Sequence, residues 1–359
     1  MVLLPDPPVS FGSYPPSDVV FLLTDLTGRV EESTLAERDA NIRGGGHYSE
    51  LLPLEYEPSA EYRDMFDAAL ARNAQLVATA VAVACERVLR LRSDPFVLVS
   101  LARAGTPIGV LMRRYLLACR DVDAAHYSIS IIRGRGLDRT AVAWLRHHHP
   151  GVPLQFVDGW TGKGAIQREL TAACAALGLD DRMAVATDPG WCAAIPGMRD
   201  DILIPSACLN ATVSGLVSRT VLRADLISAG SFHGAKTYDE LGGIDVSNHF
   251  VDTIAACFDS NLAASAADQA LTPLEAPSWA GWEAVERVGR TFGIDDPNRI
   301  KPGIGEATRV LLRRTPWLLL VRGAGGPDID HLLQLADERG VSVEAYDDMP
   351  FVACGLVRA

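Results

Sequence analysis

The amino-acid sequence predicts an α/β protein built on an open, mostly parallel sheet, with a small second α/β domain at its C-terminal end. The first observation is that short apolar runs alternate with helical segments between residues 95 and 205, which is typical of parallel strands joined by crossover helices. The second is that the same alternation begins again beyond residue 298, after a stretch with prolines and no clean period. A length of 359 residues also favours two domains, at about 150 residues each.

The elements can be predicted in order along the chain. Residues 1–57 are rich in proline and glycine, and a long helix follows from Glu61 to Leu91, because most apolar residues there lie on one stripe. The next segments predict strands at 96–100, 127–132, 154–157, 183–187 and 202–205, with helices at 108–119, 137–148 and 165–177. The C-terminal segment predicts helices at 305–314 and 329–339 and strands at 317–321 and 341–346.

This pattern suggests where the domains begin and end. We expect a first domain over 1–265, a linker over 266–297 and a second domain over 298–359. Within the first domain, 1–94 and 206–265 would form a hood beside the strands. Since open parallel sheets bind ligands at the carboxyl ends of their strands, the hood and the loops after the strands should carry the functional residues.

Composition and charge exclude several classes of protein. The net charge of −12 disfavours general binding to nucleic acids or anionic membranes. The longest apolar stretch, Leu76 to Cys85, is about half of a bilayer span, and the N-terminus lacks signal-peptide features. The seven cysteines are scattered, without a CxxC pair, which argues for a reducing compartment. We therefore expect a soluble, cytoplasmic protein without membrane contact.

One segment reverses the overall charge. Residues 299–322 contain six basic residues and a single acid, Glu306, for a local charge of +5 (6 − 1). This segment is a candidate for contact with a polyanion, or a solvated basic face of a docking module.

The loop over 158–164, here called the glycine loop, has the strongest functional signal. Its three glycines, Gly159, Gly162 and Gly164, allow backbone N–H groups to converge on an anion beside a helix N-terminus. Thr161 and Lys163 would add a hydroxyl and a cation, and Asp158 suits the two hydroxyls of a ribose. The spacing does not match a P-loop. An ordinary tight turn is the alternative.

Two further loops carry weaker signals. In the loop over 101–107, here called the first loop, Arg103, Ala104, Gly105 and Thr106 could form an anion cup before a helix, or a simple turn. The basic loop over 133–139 contains Arg133 and Arg135 and could be a mobile lid over a polyanion, or only a solvated loop.

These loops, in this order, resemble those of type I phosphoribosyltransferases. The resemblance implies that Asp158, Lys163 and Arg103 are catalytic residues. It also implies a site for phosphoribosyl pyrophosphate (PRPP), with Mg²⁺ as cofactor at Asp158. Its residues would be Asp158, Gly159, Thr161, Gly162, Lys163 and Gly164 for the ribose and 5′-phosphate, and Arg103, Ala104, Gly105 and Thr106 for the pyrophosphate. The sequence departs from the family in having one acid, Asp158, and a shorter loop.

A closer resemblance is to the predicted phosphoribosyltransferases of bacterial tellurite-resistance and stress operons, whose members are also labelled cysteine proteases of the StiP type. It covers about residues 10–260 and rests on four motifs: RGGGHYSELLP at 43–53, VDGWTGKGAI at 157–166, LNATVSGLVSRT at 209–220 and FHGAK at 232–236. Residues 298–359 are similar to Pelota and L7Ae-like RNA-binding domains. That similarity implies RNA contacts through Lys301, Arg309, Arg313 and Arg314.

The resemblance implies transfer of ribose-5-phosphate from PRPP to a nucleobase-like acceptor with release of pyrophosphate. The candidates for acceptor binding lie in irregular segments of the hood: His47, Tyr48, Glu50, Asn210, Arg219, His233 and Lys236. The acceptor itself stays open, and assembly as a homo-oligomer is compatible with this hypothesis.

Two alternatives stay open. A cysteine protease would pair Cys192 or Cys208 with His233, oriented by Asp239 or Asn248. A non-catalytic RNA-binding protein would use only the C-terminal domain. The run His147–His149 resembles a metal site, but it closes a helix, where imidazoles complement the helix dipole.

Overall fold

The computed structural model describes residues 4–34, 37, 40, 41, 43–92, 95–323 and 329–358. Its main sheet has seven strands in the order β1-β6-β5-β8-β9-β10, with β7 added antiparallel to β6 and every other pair parallel. The strands are β1 (Val20–Phe21), β5 (Val97–Ala102), β6 (His126–Ile132), β7 (Gly136–Leu137), β8 (Leu154–Trp160), β9 (Ala184–Thr187) and β10 (Ile195–Met198).

Helices cover both faces of this sheet and form two apolar cores. On one face the core includes residues of α1 (Ala60–Leu91), α2 (Thr106–Arg120), α5 (Ser247–Ala255) and α6 (Ser260–Gln269). On the other face it includes residues of α3 (Arg139–His148) and α4 (Ala165–Leu177). Helix α1 is long and apolar enough to cross a membrane by length and composition, but 67% of its most apolar window is buried inside the protein, as in a core helix.

The hood is irregular and carries two small parallel ribbons. One pairs β2 (Thr24–Asp25) with β11 (Gly234–Ala235), and the other pairs β3 (Glu32–Ser33) with β4 (Leu52–Pro53). Among its described residues, short 3₁₀-helices lie at Pro205–Ala207, Ala211–Val213 and Asp239–Ile244. The pairing of β2 with β11 joins residues 24–25 to residues 234–235, which are distant in the chain.

In the part of the C-terminal unit that the structure describes, a four-stranded sheet packs with three helices. Its sheet has the order β12-β15-β13-β14, and its own core also contains apolar residues of α7. Helices α8 and α9 instead share an apolar core with α1 and Leu203 of the first domain, so the two units are docked. The elements are α7 (Ala280–Phe292), β12 (Ile300–Pro302), α8 (Ile304–Arg313), β13 (Pro316–Val321), α9 (Asp330–Glu338), β14 (Ser342–Ala345) and β15 (Ala353–Val357).

The mixed α/β fold with a mostly parallel sheet and a smaller C-terminal domain is confirmed. Helix α7, however, lies inside the stretch predicted as a linker, and its apolar residues belong to the core of the C-terminal unit.

The strand predicted at 202–205 was misplaced. The edge strand is β10 instead, and residues 202–204 lead into a 3₁₀ turn. This strand was not predicted because it contains Pro196 and Gly197, and both residue types are disfavoured in strand interiors. In the structure Gly197 lies so close to the Ala80 carbonyl of α1 that a Cβ atom would collide with it. The absence of a side chain there allows α1 to pack against the edge strand.

Candidate functional site

A cleft opens where the carboxyl ends of β5, β6 and β8 face the C-terminal unit. It consists of a main cavity of about 460 Å³ and a second cavity of about 230 Å³. Both cavities are lined by residues of the two units, and they share Ala104, Arg133, Asp158, Ile166, Lys301, Glu306 and Arg309. The site therefore depends on the docking of the two domains.

Asp158 lies at the centre of the cleft, at the end of β8. Its residue is 8% exposed, and its Oδ1 accepts the Gly159 N–H at 2.8 Å. Burial raises the pKa of this carboxyl to about 7, against the opposing effects of the Gly159 N–H and the Arg309 charge. At neutral pH the group is therefore part acid and part carboxylate, which is a common property of functional sites.

The glycine loop lines the second cavity but is also tightly packed. The Thr161 hydroxyl donates to Asp188 Oδ1, and Lys163 Nζ donates to the Pro297 carbonyl at 2.5 Å. Gly164 has φ of 74°, and a Cβ atom on it would collide with the Trp279 ring. A Cβ atom on Gly281 would lie 2.7 Å from the Gly162 carbonyl oxygen. The absence of side chains at these glycines thus allows the loop to pack closely against the start of the C-terminal unit.

The first loop is only partly open to the cleft. Arg103 and Ala104 line the main cavity, and the Arg103 guanidinium donates to the Val217 carbonyl at 2.7 Å and to Glu55 at 3.2 Å. Gly105 and Thr106 are buried in the turn, where the Thr106 hydroxyl bonds Ser128 at 2.8 Å. Neither residue is among the described residues that line the two cavities, so the structure does not place them where they were predicted to hold a pyrophosphate.

The hood and the basic loop meet at the Tyr48 ring. The guanidinium groups of Arg133 and Arg219 each lie 5.3 Å from the ring centroid, and the Arg133 backbone N–H donates to the Tyr48 hydroxyl at 2.8 Å. Arg135 pairs with Glu50 at 2.6 Å. The predicted lid is thus held against the hood in this conformation.

Other hood candidates divide into two groups. His47 packs against Tyr48 with ring centroids 4.6 Å apart, and its Nδ1 bonds Ser49 at 2.8 Å. Asn210 lines the main cavity. His233 and Lys236 are not among the described residues that line the two cavities. Lys236 instead pairs with Glu240 at 3.4 Å, so the structure does not place these two predicted acceptor-binding residues at the cleft.

The C-terminal unit contributes cations to the cleft. Lys301 on β12 and Arg309 and Arg314 on or after α8 line the main cavity. Arg309 donates to Glu306 at 3.0 Å and to the Ala207 carbonyl at 3.1 Å. The side chain of Arg313, predicted as an RNA contact, lies outside the described residues.

Comparisons with known proteins agree on the family. Residues 12–255 match the family described as "Tellurite-like stress resistance cysteine protease StiP". A curated protein of Acinetobacter baylyi, "Cysteine protease StiP", is 35% identical over 367 aligned residues, covering 97% of this chain and 94% of that protein.

The chain belongs to the StiP family.

In addition, residues 279–359 match a family described as "PELOTA RNA binding domain". No solved structure matches the chain. The predicted resemblances to the StiP group and to the Pelota domain are confirmed, whereas a type I phosphoribosyltransferase fold is not shown.

The predicted phosphoribosyltransferase activity is wrong for this StiP-family chain. The family match and the relative both name a cysteine protease, which is a hydrolase and not a glycosyltransferase. PRPP and a nucleobase-like acceptor were predicted as substrates of that activity, and they are not supported either. The Mg²⁺ predicted at Asp158 was implied only by that resemblance. Among the described residues, no group of three or more His, Cys, Asp or Glu side chains could hold a metal there.

The structure does not bring together Cys192 and His233, the pair predicted for a protease. His233 is 9% exposed, and its Nδ1 bonds Ser130 of β6 at 2.9 Å. Cys192 follows β9, with its Sγ 3.7 Å from Asp188. Three strand spacings separate β6 from β9, or about 14 Å. In addition, Asn248, the proposed orienting residue, donates to the Ser13 carbonyl at 2.9 Å.

Cys208 lies no better for His233. It is fully buried after the 3₁₀ turn Pro205–Ala207, in the core on the α1 face of the sheet. Phe232, beside His233, packs in the core on the opposite face. Sheet topology placed these residues apart, and no local sequence pattern could have revealed it.

The pKa values of six thiols are shifted upward. Burial raises the pKa values of Cys174, Cys192 and Cys354 to about 12, and nearby aspartates add to the effect. Burial also raises the pKa of Cys85, Cys119 and Cys257. Since the thiolate is the nucleophile, these six cysteines are mostly protonated and weakly nucleophilic at neutral pH in this conformation.

Sequence reasoning missed Asp201, which joins the two units. Its carboxylate accepts the Ile304 N–H at the start of α8 at 3.0 Å and the Val352 N–H at 2.8 Å. Burial raises its pKa to about 6, although these N–H bonds act in the opposite direction. An isolated aspartate in a loop carries no sequence signal of such a role, because its partners lie more than 100 residues away.

Proposed function

We propose that this chain is a cysteine protease, a hydrolase that cleaves peptide bonds through a thiol. The observation that carries the proposal is the agreement of the StiP family match over 12–255 with the 35% identical relative named a cysteine protease. In such a reaction a thiolate attacks the peptide carbonyl carbon, the amine leaves, and water then releases the acyl group.

The cleft is the natural place for the substrate. It holds a cavity of about 460 Å³, it is bounded by loops at the carboxyl ends of parallel strands, and it contains a carboxyl group with a raised pKa. A peptide in the main cavity would contact Tyr48 and Asn210 of the hood.

Cys208 is our proposed nucleophile. Its neighbours Ser206, Leu209 and Asn210 line a small cavity beside Arg103 and Arg309, and Asn210 also lines the main cavity. Cys192 is the weaker candidate, because its thiol faces the Asp188 carboxylate, which disfavours the thiolate. His47, which packs against the cavity-lining Tyr48, is the proposed imidazole partner.

Because the Cys208 side chain is fully buried here, catalysis requires a local opening that brings it to the imidazole. The segment 205–210 consists of short 3₁₀ turns and loop, so its opening would break no strand pairing of the sheet. Substrate binding in the cleft would supply the energy for the opening.

The test measures hydrolysis of a quenched fluorescent peptide library by the full chain. We expect Cys208→Ser and His47→Ala each to reduce the rate at least about 10³-fold. Cys257→Ser and His148→Ala serve as matched controls distant from the cleft, and both should retain the activity. Loss of activity in Cys192→Ser alone would transfer the role to that residue. Hydrolysis that survives when Cys192→Ser and Cys208→Ser are combined in one chain would refute a cysteine protease.

A second function is RNA binding by the C-terminal unit. It is supported by the Pelota match over 279–359 and by the cations Lys301, Arg309 and Arg314 of that unit in the cleft. We expect Lys301→Gln to weaken binding of labelled single-stranded RNA and to lower its salt dependence. Arg290→Gln, an exposed change at the end of α7, should have no effect. Equal affinities of the two variants would contradict this function.

A further inference from the structure

We propose that single-stranded RNA is gripped between the two domains, so that residues of the first domain supply part of the RNA interface. The proposal rests on the RNA binding proposed above and extends it to a surface that the Pelota match at 279–359 does not include.

The first argument is that one cavity joins cations of both units. The main cavity is lined by Arg103, Arg133 and Arg219 from the first domain and by Lys301, Arg309 and Arg314 from the second. The neighbouring cavity adds Lys163. The acids in this lining are Glu55, Asp158 and Glu306. In a chain with a net charge of −12, such a concentration of positive charge marks an anion-binding surface.

The second argument is that two of these acids are already engaged. Glu55 pairs with Arg103 at 3.2 Å, and Glu306 pairs with Arg309 at 3.0 Å. Asp158 is the third, and its raised pKa leaves it only partly charged near neutral pH. The cleft therefore has more positive than negative charge, and this excess includes the side chains of Arg133, Lys163, Lys301 and Arg314.

The excess cations also repel one another across the domain boundary. The pKa of Lys301 is lowered mainly by burial and further by the positive charges of Arg314 and Arg133. The pKa of Lys163 is lowered to about 8 by burial and by Lys301 and Arg133. A ligand with several closely spaced phosphates would relieve this repulsion, and each phosphate bound would release counterions to solution.

The third argument concerns the bases. Tyr48 lines the main cavity, and the guanidinium groups of Arg133 and Arg219 each lie 5.3 Å from its ring centroid. An aromatic ring beside guanidinium planes is the surface on which unpaired RNA bases stack. An acidic peptide could touch this ring, but its binding through the cations would not need an aromatic stacking surface.

The size of the cavity selects a single strand. About 460 Å³ is the size of a small-molecule site, which admits one or two unstacked nucleotides but no double helix. The strand would therefore cross from the start of α8 to the basic loop, with phosphates at the cations and a base on Tyr48.

The test compares the binding of labelled single-stranded RNA to full-length chains by fluorescence anisotropy over a salt series. The decisive variant is Arg133→Gln in the first domain. Its matched control is Arg90→Gln, an exposed change in the last turn of α1, at the opposite edge of the sheet. Tyr48→Leu tests stacking, and Lys301→Gln reports on the C-terminal unit.

We expect Arg133→Gln to weaken binding about threefold to tenfold at about 0.1 M salt and to lower the slope of log affinity against log salt by about 0.7. Arg90→Gln should match the wild type. Tyr48→Leu should weaken binding without changing the salt slope.

Three results would overturn the proposal. If Lys301→Gln weakens binding while Arg133→Gln behaves like Arg90→Gln, RNA binds the C-terminal unit alone, and the proposed RNA function survives without this extension. If the wild type binds no RNA, both fail. If polyglutamate displaces RNA as well as unlabelled RNA does at equal charge, the cleft recognises acidic chains in general rather than RNA.

Discussion

Asp158 provides a quantitative prediction about stability and pH. Its pKa is raised from 3.8 to about 7 in the folded chain, mainly by burial. The folded state therefore holds a proton more tightly than the unfolded state does, and stability must fall as pH rises from about 4 to about 7. A difference of about 3 pKa units corresponds to about 4 kcal/mol lost above pH 7, which is an upper bound.

Asp158→Asn removes this loss while keeping the shape of the side chain and an oxygen for the Gly159 N–H. The variant should be more stable than the wild type by about 2–4 kcal/mol at pH 8, and by less than about 1 kcal/mol at pH 4. The measurement is urea unfolding of both proteins at the two pH values.

Asp180→Asn is the control with the opposite sign. Hydrogen bonds from Arg182, and then from Arg92, hold the pKa of Asp180 below its usual range. Its stabilising effect is present above pH 4 and is lost on acidification, so the variant should be destabilised at pH 8. If the stability gain of Asp158→Asn were the same at pH 4 and pH 8, the carboxyl would not be buried as described, and the reasoning would fail.

Three further predictions concern the joint between the domains and the thiols. Asp201→Asn should cost about 1–3 kcal/mol of unfolding free energy, because both carboxylate oxygens of Asp201 accept backbone N–H groups and an amide nitrogen cannot accept one. The variant should also speed limited proteolysis between residues 256 and 280, whereas the exposed Asp200→Asn should do neither, and equal digestion rates would contradict the role of Asp201. Gly164→Ala should lower the melting temperature more than Gly178→Ala, since both glycines have positive φ but only Gly164 lies against Trp279, and equal losses would show that backbone strain alone matters. Cys192 should react with iodoacetamide at pH 7.5 more slowly than the half-buried Cys257, as measured by mass spectrometry, and faster labelling of Cys192 would reveal an activated thiol.

Much of the fold could be predicted from local patterns. The helix at 61–91 and the strands before the first loop and the glycine loop have continuous apolar runs or a single apolar stripe, and these features depend only on neighbouring residues. The edge strand β10 was not predicted, because its Gly197 is explained only by close packing against α1, which is distant in sequence.

The site could be predicted only in part. Loops at the carboxyl ends of parallel strands were expected to converge, and Arg103, Asp158 and Lys163 do line one cleft. The role of the glycines was not predictable from the sequence. A glycine whose backbone N–H binds an anion and a glycine that leaves space for the Trp279 ring have the same sequence pattern. The chemistry inferred from that pattern was therefore wrong.

The sequence by itself determined the α/β alternation, the second domain and the reversal of charge at 299–322, because each depends on residues that are near one another in the chain. Only the tertiary structure decided that this basic segment faces Asp158 and Arg133, that Asp201 caps α8, and that His233 is remote from Cys192. These are contacts between residues far apart in the chain. They depend on the order of the strands and on how closely the two units pack, and neither is encoded in any local pattern.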